Sequence, residues 1–126
     1  MRGKVISTDS APGAVGLYSQ AVRVNGMVFC SGQIPIDPTS GQLVDGDAEK
    51  QATQIIENLK AVLESAGLGL EHVVKTTVYM VSLDDYAAVN EVYKKYFPKD
   101  PPARAAVAVR ELPKRARLEI EAIAAE

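Results

Sequence analysis

Between Ala48 and Ala66 the apolar residues fall at 48, 52, 55, 56, 59, 62, 63 and 66, the spacing of one helical face. Asp47 stands where a side-chain oxygen caps a first turn, and Gly67 where a left-handed residue closes a last one. The pattern predicts a helix over 48–66 with a single buried stripe. From Val73 to Met80 the period changes to two: Val74, Thr76, Val78 and Met80 fall on one side, Lys75, Thr77 and Tyr79 on the other, which predicts a strand. Upstream, Ala21–Val24 and Met27–Ser31 are β-prone runs flanking Asn25-Gly26, the pair that best tolerates the positive φ angles of a tight hairpin turn.

A second helix is predicted to open at Ser82-Leu-Asp-Asp85, with Ser82 as cap and Asp85 reaching back to it in a near capping box, and to end before Pro98. Arg104–Val109 and Arg117–Ala124 read as strands joined by a turn at Pro113. Pro35, Asp37-Pro38, Ser40-Gly41 and Asp45-Gly46 make 32–46 an ordered connecting loop. The order is β-hairpin, helix, strand, helix, two strands, an α+β pattern with two crossover helices on one face of a single mixed β-sheet. On the uncovered face the alternation places Lys75, Thr77, Tyr79, Arg104, Ala106, Ala108, Glu119 and Glu121. Water or a second subunit could cover such a face; the parallel pairs expected in the sheet favour the subunit.

Composition narrows the class. A chain of 126 residues, 47% hydrophobic and 24% charged, fits a single soluble domain over 1–126 that needs no disulfide or structural metal. The net charge of −2 supplies no field to draw it onto nucleic acid or an anionic membrane. Arg110, Lys114, Arg115 and Arg117 cluster, but Glu111, Glu119 and Glu121 are interleaved and largely offset them. The N-terminus, Met1 to Ser7, turns polar at once, unlike a secretory signal, so a cytoplasmic location is expected, with an organelle left open.

Candidate chemistry is sparse. His72 is the only imidazole and Cys30 the only thiol, so no metal site is expected, and a histidine-based triad would have to use His72 in a polar junction. No glycine-rich phosphate loop or dinucleotide fingerprint offers a seat for a nucleotide cofactor. What remains is Arg104 and Glu119, on strands whose alternation can put both on one face. Ala106 and Ala108 leave room beside the guanidinium, and its planar fork suits a carboxylate, which points to a small organic acid. An ordinary intersubunit salt bridge fits the same two residues equally well.

Seven segments in consistent order carry a resemblance: Val15–Ala21, Ser31–Pro35, Glu57–Lys60, Val74–Tyr79, Val89–Tyr93, Pro102–Arg104 and Glu119–Ile123. Together, from about Ser7 to Ala124, they resemble the RidA (YjgF-like) family. The resemblance implies a chorismate-mutase-like fold, a homotrimer with three clefts between subunits, and cofactor-free hydrolysis of 2-imino acids and their enamine tautomers, such as 2-iminobutanoate and 2-iminopropanoate, to 2-keto acids and ammonia. The implied role is repair of metabolite damage. It makes Arg104 the carboxylate-binding residue and Glu119 the residue that orients water, with Tyr18, Ser31, Gly32 and Asn90 lining the cleft. Without it, Tyr18 reads as packing and Ser31-Gly32 as a turn. The chain departs from the pattern at Ala106, where many members have cysteine, and at Leu17, where Gly-Pro-Tyr is usual. The alternatives to deaminase are a non-enzymatic carboxylate-binding or chaperone-like trimer and an endoribonuclease, the last disfavoured by the acidic pI and the lack of a histidine pair.

Overall fold

The computed structural model describes residues 3–126; Met1 and Arg2, the start of the polar N-terminal run, lie outside it. The elements are β1 (Lys4–Ile6), β2 (Ala21–Val24), β3 (Met27–Gln33), α1 (Ala48–Ser65), β4 (Val73–Met80), α2 (Tyr86–Tyr96), β5 (Ala103–Ala108) and β6 (Leu118–Ala125). The six strands form one mixed sheet in the order β1-β2-β3-β6-β4-β5, with β4 and β5 parallel and the other neighbours antiparallel. The α+β pattern with two helices on one face of a mixed sheet is as the sequence predicts. The addition is β1, three residues pairing with β2 at the sheet edge, too short to show a period.

The two strongest local signals form the elements they predict. Asn25 and Gly26 have φ of 50° and 74°, the left-handed pair that lets the hairpin turn in two residues. Asp47 accepts a hydrogen bond from the Lys50 N–H at 2.9 Å, and at the other end Leu68 N–H returns to the Leu63 carbonyl around Gly67 at φ 77°. Between these caps Ala52, Ile55, Ile56, Leu59, Val62 and Leu63 are buried against Val28, Val78, Met80, Leu118 and Ile120 of the sheet. Each large side chain so buried contributes roughly 1.5–3 kcal/mol.

Three buried amides tie loops to this core. Asn58 donates to the Ile36 carbonyl at 2.9 Å, Gln51 to the Val44 carbonyl at 3.2 Å, and Gln20 binds the backbone of Thr8 and Pro12. The 34–44 connection and the segment before β2, which both border the site, are thereby fixed although they contain little regular structure.

Three local expectations are corrected. Ser82 accepts from the Asp84 N–H, and Asp85 does not reach back to it. A 3₁₀ turn at Leu83–Asp85 precedes α2, and the buried Asp85 carboxylate instead takes a two-pronged ion pair from Arg117, at 2.6 and 3.2 Å. Arg117 is thus offset by Asp85, while Glu119 and Glu121 face the opposite side of the sheet. Val74 does not join Thr76, Val78 and Met80 inside: an irregularity between Val73 and Lys75 turns Val73 inward and leaves Val74 46% exposed.

The third correction concerns β5, the strand that carries Arg104. Thr76 is register partner to Arg104, Val78 to Ala106 and Met80 to Ala108, so these three β5 side chains lie on the helix side of the sheet and not on the open face with Lys75, Thr77 and Tyr79. Ala103, Ala105 and Val107 occupy the open face in their place. Together with Val22, Phe29 and Ile123 they make that face more apolar than expected.

Candidate functional site

Strand β3 carries a bulge. Cys30 pairs with Ala122 and Gln33 with Ile120, so Ser31 and Gly32 together oppose the single residue Glu121. The extra residue brings Gly32 against Glu119: a methyl group at Gly32 would lie 2.5 Å from Glu119 Oε2 and 2.9 Å from its carboxyl carbon. Only a residue without Cβ admits the carboxylate there. Ser31 Oγ donates to the Ser19 carbonyl at 2.6 Å, joining the bulge to the segment that carries Tyr18, whose own hydroxyl accepts from the Val15 N–H at 3.3 Å.

Tyr18, Ser31, Gly32, Glu119 and Glu121 line one cavity of about 400 Å³, floored by apolar residues such as Ile34. Burial and the neighbouring charge of Glu121 push the Glu119 carboxyl above its usual range. On the same face Tyr79 Oη donates to Glu121 Oε1 at 2.6 Å. That bond to an anion, helped by burial, pushes the phenol up as well.

Arg104 and Asn90 form a separate group across the sheet. Arg104 Nη1 donates to Asn90 Oδ1 and Nη2 to Tyr86 Oη, both at 2.8 Å, and the guanidinium carbon lies 5.2 and 4.9 Å from the ring centres of Tyr86 and Tyr93. Tyr93 is held in turn by a 2.8 Å bond to Thr76. Every one of these partners is neutral, and the ion pairs among the described residues leave Arg104 out. A planar cation is thereby aimed without being neutralised.

One chain therefore splits the six predicted site residues into a Glu119 group with Tyr18, Ser31 and Gly32, and an Arg104 group with Asn90. Arg104 and Glu119 lie on opposite faces, with β4 between their strands and registers three residues apart, roughly 14 Å at Cα by strand spacing. They do not share a face as expected. The two tyrosines around Arg104 are additions; Tyr86, Asn90 and Tyr93 recur at i, i+4 and i+7 on α2, a spacing that marks one helical face. The departures from the family pattern lie apart from the carboxylates: Ala106 is half-buried beside Arg104 on the helix side, and Leu17 is fully exposed at the tip of its loop. Cys30 faces the core, where burial pushes its thiol up to about 12. No group of three or more potential metal-ligating side chains occurs among the described residues, and no helix there is long and apolar enough to cross a membrane.

The profile of a family described as Endoribonuclease L-PSP matches residues 8–126. The chain belongs to the RidA (YjgF-like) family. A 2-iminobutanoate/2-iminopropanoate deaminase from Rattus norvegicus is 52% identical over 98% of this chain and 90% of its own length. A RutC family protein from Pyrococcus abyssi is 52% identical over 98% of both chains, and its name carries no activity. Among solved structures, E. coli TdcF with bound serine superposes with a TM-score of 0.93 at 45% identity, covering 98% of each chain. Within the RidA family, then, names do not agree on one activity: some carry the word deaminase, some endoribonuclease, one translation initiation inhibitor.

Proposed function

We propose that this protein hydrolyses 2-imino acids and their enamine tautomers to 2-keto acids and ammonia, in clefts that a homotrimer completes by setting Arg104 of one copy opposite Glu119 of the next. The observation that carries this reading is the unneutralised Arg104. It sits near the edge of the sheet, aimed by Asn90 and Tyr86, with donors left over for a planar anion. A small carboxylate bound there still lacks a proton acceptor, and the Glu119 cavity of a neighbouring copy supplies one. The deaminase relative and the serine-bound E. coli structure both support a small amino-acid-like ligand.

In this mechanism the substrate carboxylate docks on Arg104 and its iminium carbon faces a water held by Glu119. The water oxygen attacks that carbon while its proton passes to Glu119, giving a tetrahedral carbinolamine. Glu119 returns the proton to the nitrogen, the C–N bond breaks with its electron pair leaving on ammonia, and the hydroxyl becomes the keto group by giving its proton to Glu119, which passes it to the departing ammonia. A carboxyl raised above its usual range is suited to both transfers, since its anion is a stronger base than an ordinary carboxylate. No redox partner enters the balance. A polyphosphate substrate fits less well, because the charged residues lining the single-chain half of the cleft are Glu119 and Glu121 and the other half offers one guanidinium.

The test couples an amino-acid oxidase or threonine dehydratase to the protein and traps residual imine with semicarbazide. Wild type should reduce the trapped imine and Arg104→Ala should not. Glu119→Gln should lose on the order of 10²–10⁴ in rate while still binding keto acids. Keto-acid binding by a folded wild type that leaves trapped imine unchanged would replace the enzyme with a carboxylate-binding module.

A further inference from the structure

On β6, Glu119 and Glu121 are two residues apart and so share the open face, and both line the same cavity. Two carboxylates in one cleft cannot both ionise freely, and whichever has the better partner keeps its charge at the other's expense. The structure supplies that asymmetry. Tyr79 is the register partner of Glu119, yet its hydroxyl crosses diagonally to Glu121 and donates at 2.6 Å. Among the described residues no donor reaches Glu119, whose carboxylate packs over Gly32 in the space a Cβ would take.

Resting on the deaminase reading above, we propose that Glu121, held by Tyr79, is a positioning residue: it stays the anion of the pair, so that the proton taken from water goes to Glu119. The other groups on that face of the same chain leave this division intact, and the Arg104 that the proposed assembly brings opposite Glu119 is engaged by the substrate carboxylate. Lys75, opposite Ile123 on β4, shares a hollow with Glu121 on the side away from Glu119, so its charge favours the Glu121 anion, although the two form no ion pair among the described residues. Strand β3 contributes Ser31 and Gly32, and the segment before β2 contributes Tyr18, none of them charged. The turn before β6 contributes Pro113 to the lining, with Lys114 and Arg115 exposed beyond it. The upward displacement of the Glu119 carboxyl, for which the Glu121 charge is a cause second to burial, agrees with this arrangement.

The experiment follows two readouts on the assembled protein: the pH profile of kcat/KM for imine hydrolysis, and the titration of the Glu119 carboxyl by carbon NMR. Glu121→Gln preserves shape and removes the charge. It should move the acidic limb and the Glu119 midpoint down together by about one pH unit, with a plateau rate roughly threefold to tenfold lower, as expected for a weaker base. Tyr79→Phe should move both the same way by less, because Glu121 then competes for the proton. A purely structural role would lower the rate with both midpoints fixed, and that result overturns the proposal. If wild type hydrolyses no imine, the deaminase reading fails, and a part for Glu121 in that reaction fails with it. If wild type turns over and Glu121→Gln leaves the Glu119 midpoint in place, only the positioning role fails.

Discussion

Gly32 shows how a single missing atom places a functional group. Its bulge carries the Glu119 carboxylate at a distance no Cβ permits, so Gly32→Ala must displace Glu119 without disturbing the buried core. Imine hydrolysis should fall on the order of 10²–10⁴, the range for losing a positioned acid–base group. The circular dichroism spectrum and melting temperature should stay near wild type, and a rate within threefold of wild type would refute the role given to that contact. Cys30 illustrates the opposite case, a reactive residue made inert by its surroundings. With its thiol pushed up to about 12, about one molecule in ten thousand carries a thiolate at pH 8. Iodoacetamide should therefore leave the native protein unmodified over hours and label the unfolded chain fully, as read by intact mass. Rapid native labelling would mean that the β3 core opens readily.

The elements divide sharply in how much of them the sequence discloses. The hairpin and α1 are legible because their signals are local and redundant: two residues that accept positive φ, eight apolar positions with one period, a cap at each end. The phase of β5 is not, because Ala-Arg-Ala-Ala-Val-Ala has small apolar residues on both faces and alternation cannot say which face is inside. Only pairing with β4 sets it, and that register is tertiary information. The bulges at Ser31-Gly32 and near Val74 escape for the same reason, as a period of two cannot report the residue that breaks it. The spacing of Asp85 from Ser82 suggests a cap, whereas the stronger partner is Arg117, thirty-two residues on. This ion pair joins the turn before α2 to the start of β6, and the half-exposure of Arg117 moderates its worth. Asp85→Asn should destabilise the fold by about 1–3 kcal/mol in urea unfolding, the range for a hydrogen bond to a charged group whose partner is left unpaired. A change below about 0.3 kcal/mol would show that water replaces the carboxylate without loss.

At the scale of the whole molecule the proposed function requires a second copy of the chain, because the fold keeps Arg104 and Glu119 apart within one chain. Arg104 and Glu119 point away from each other across three strands, and the open face beside Glu119 carries Phe29, Val107 and Ile123, side chains that a second copy would cover. In the proposed ring each interface would be heterologous, pairing the Arg104 side of one copy with the Glu119 side of the next. This arrangement makes a prediction that a self-contained site cannot mimic. Arg104→Ala keeps an intact Glu119 half and Glu119→Gln an intact Arg104 half, so each variant alone has only broken clefts. When equal amounts are unfolded together and refolded, random assembly gives a cleft its Arg104 from a Glu119→Gln copy and its Glu119 from an Arg104→Ala copy in about one case in four. Imine hydrolysis should return to about a quarter of the wild-type rate per cleft, and mixing without dissociation should restore none. If co-refolded variants stay as inactive as their parents while mass measurement shows mixed assemblies, the two residues do not serve one cleft, and the intersubunit site falls with them.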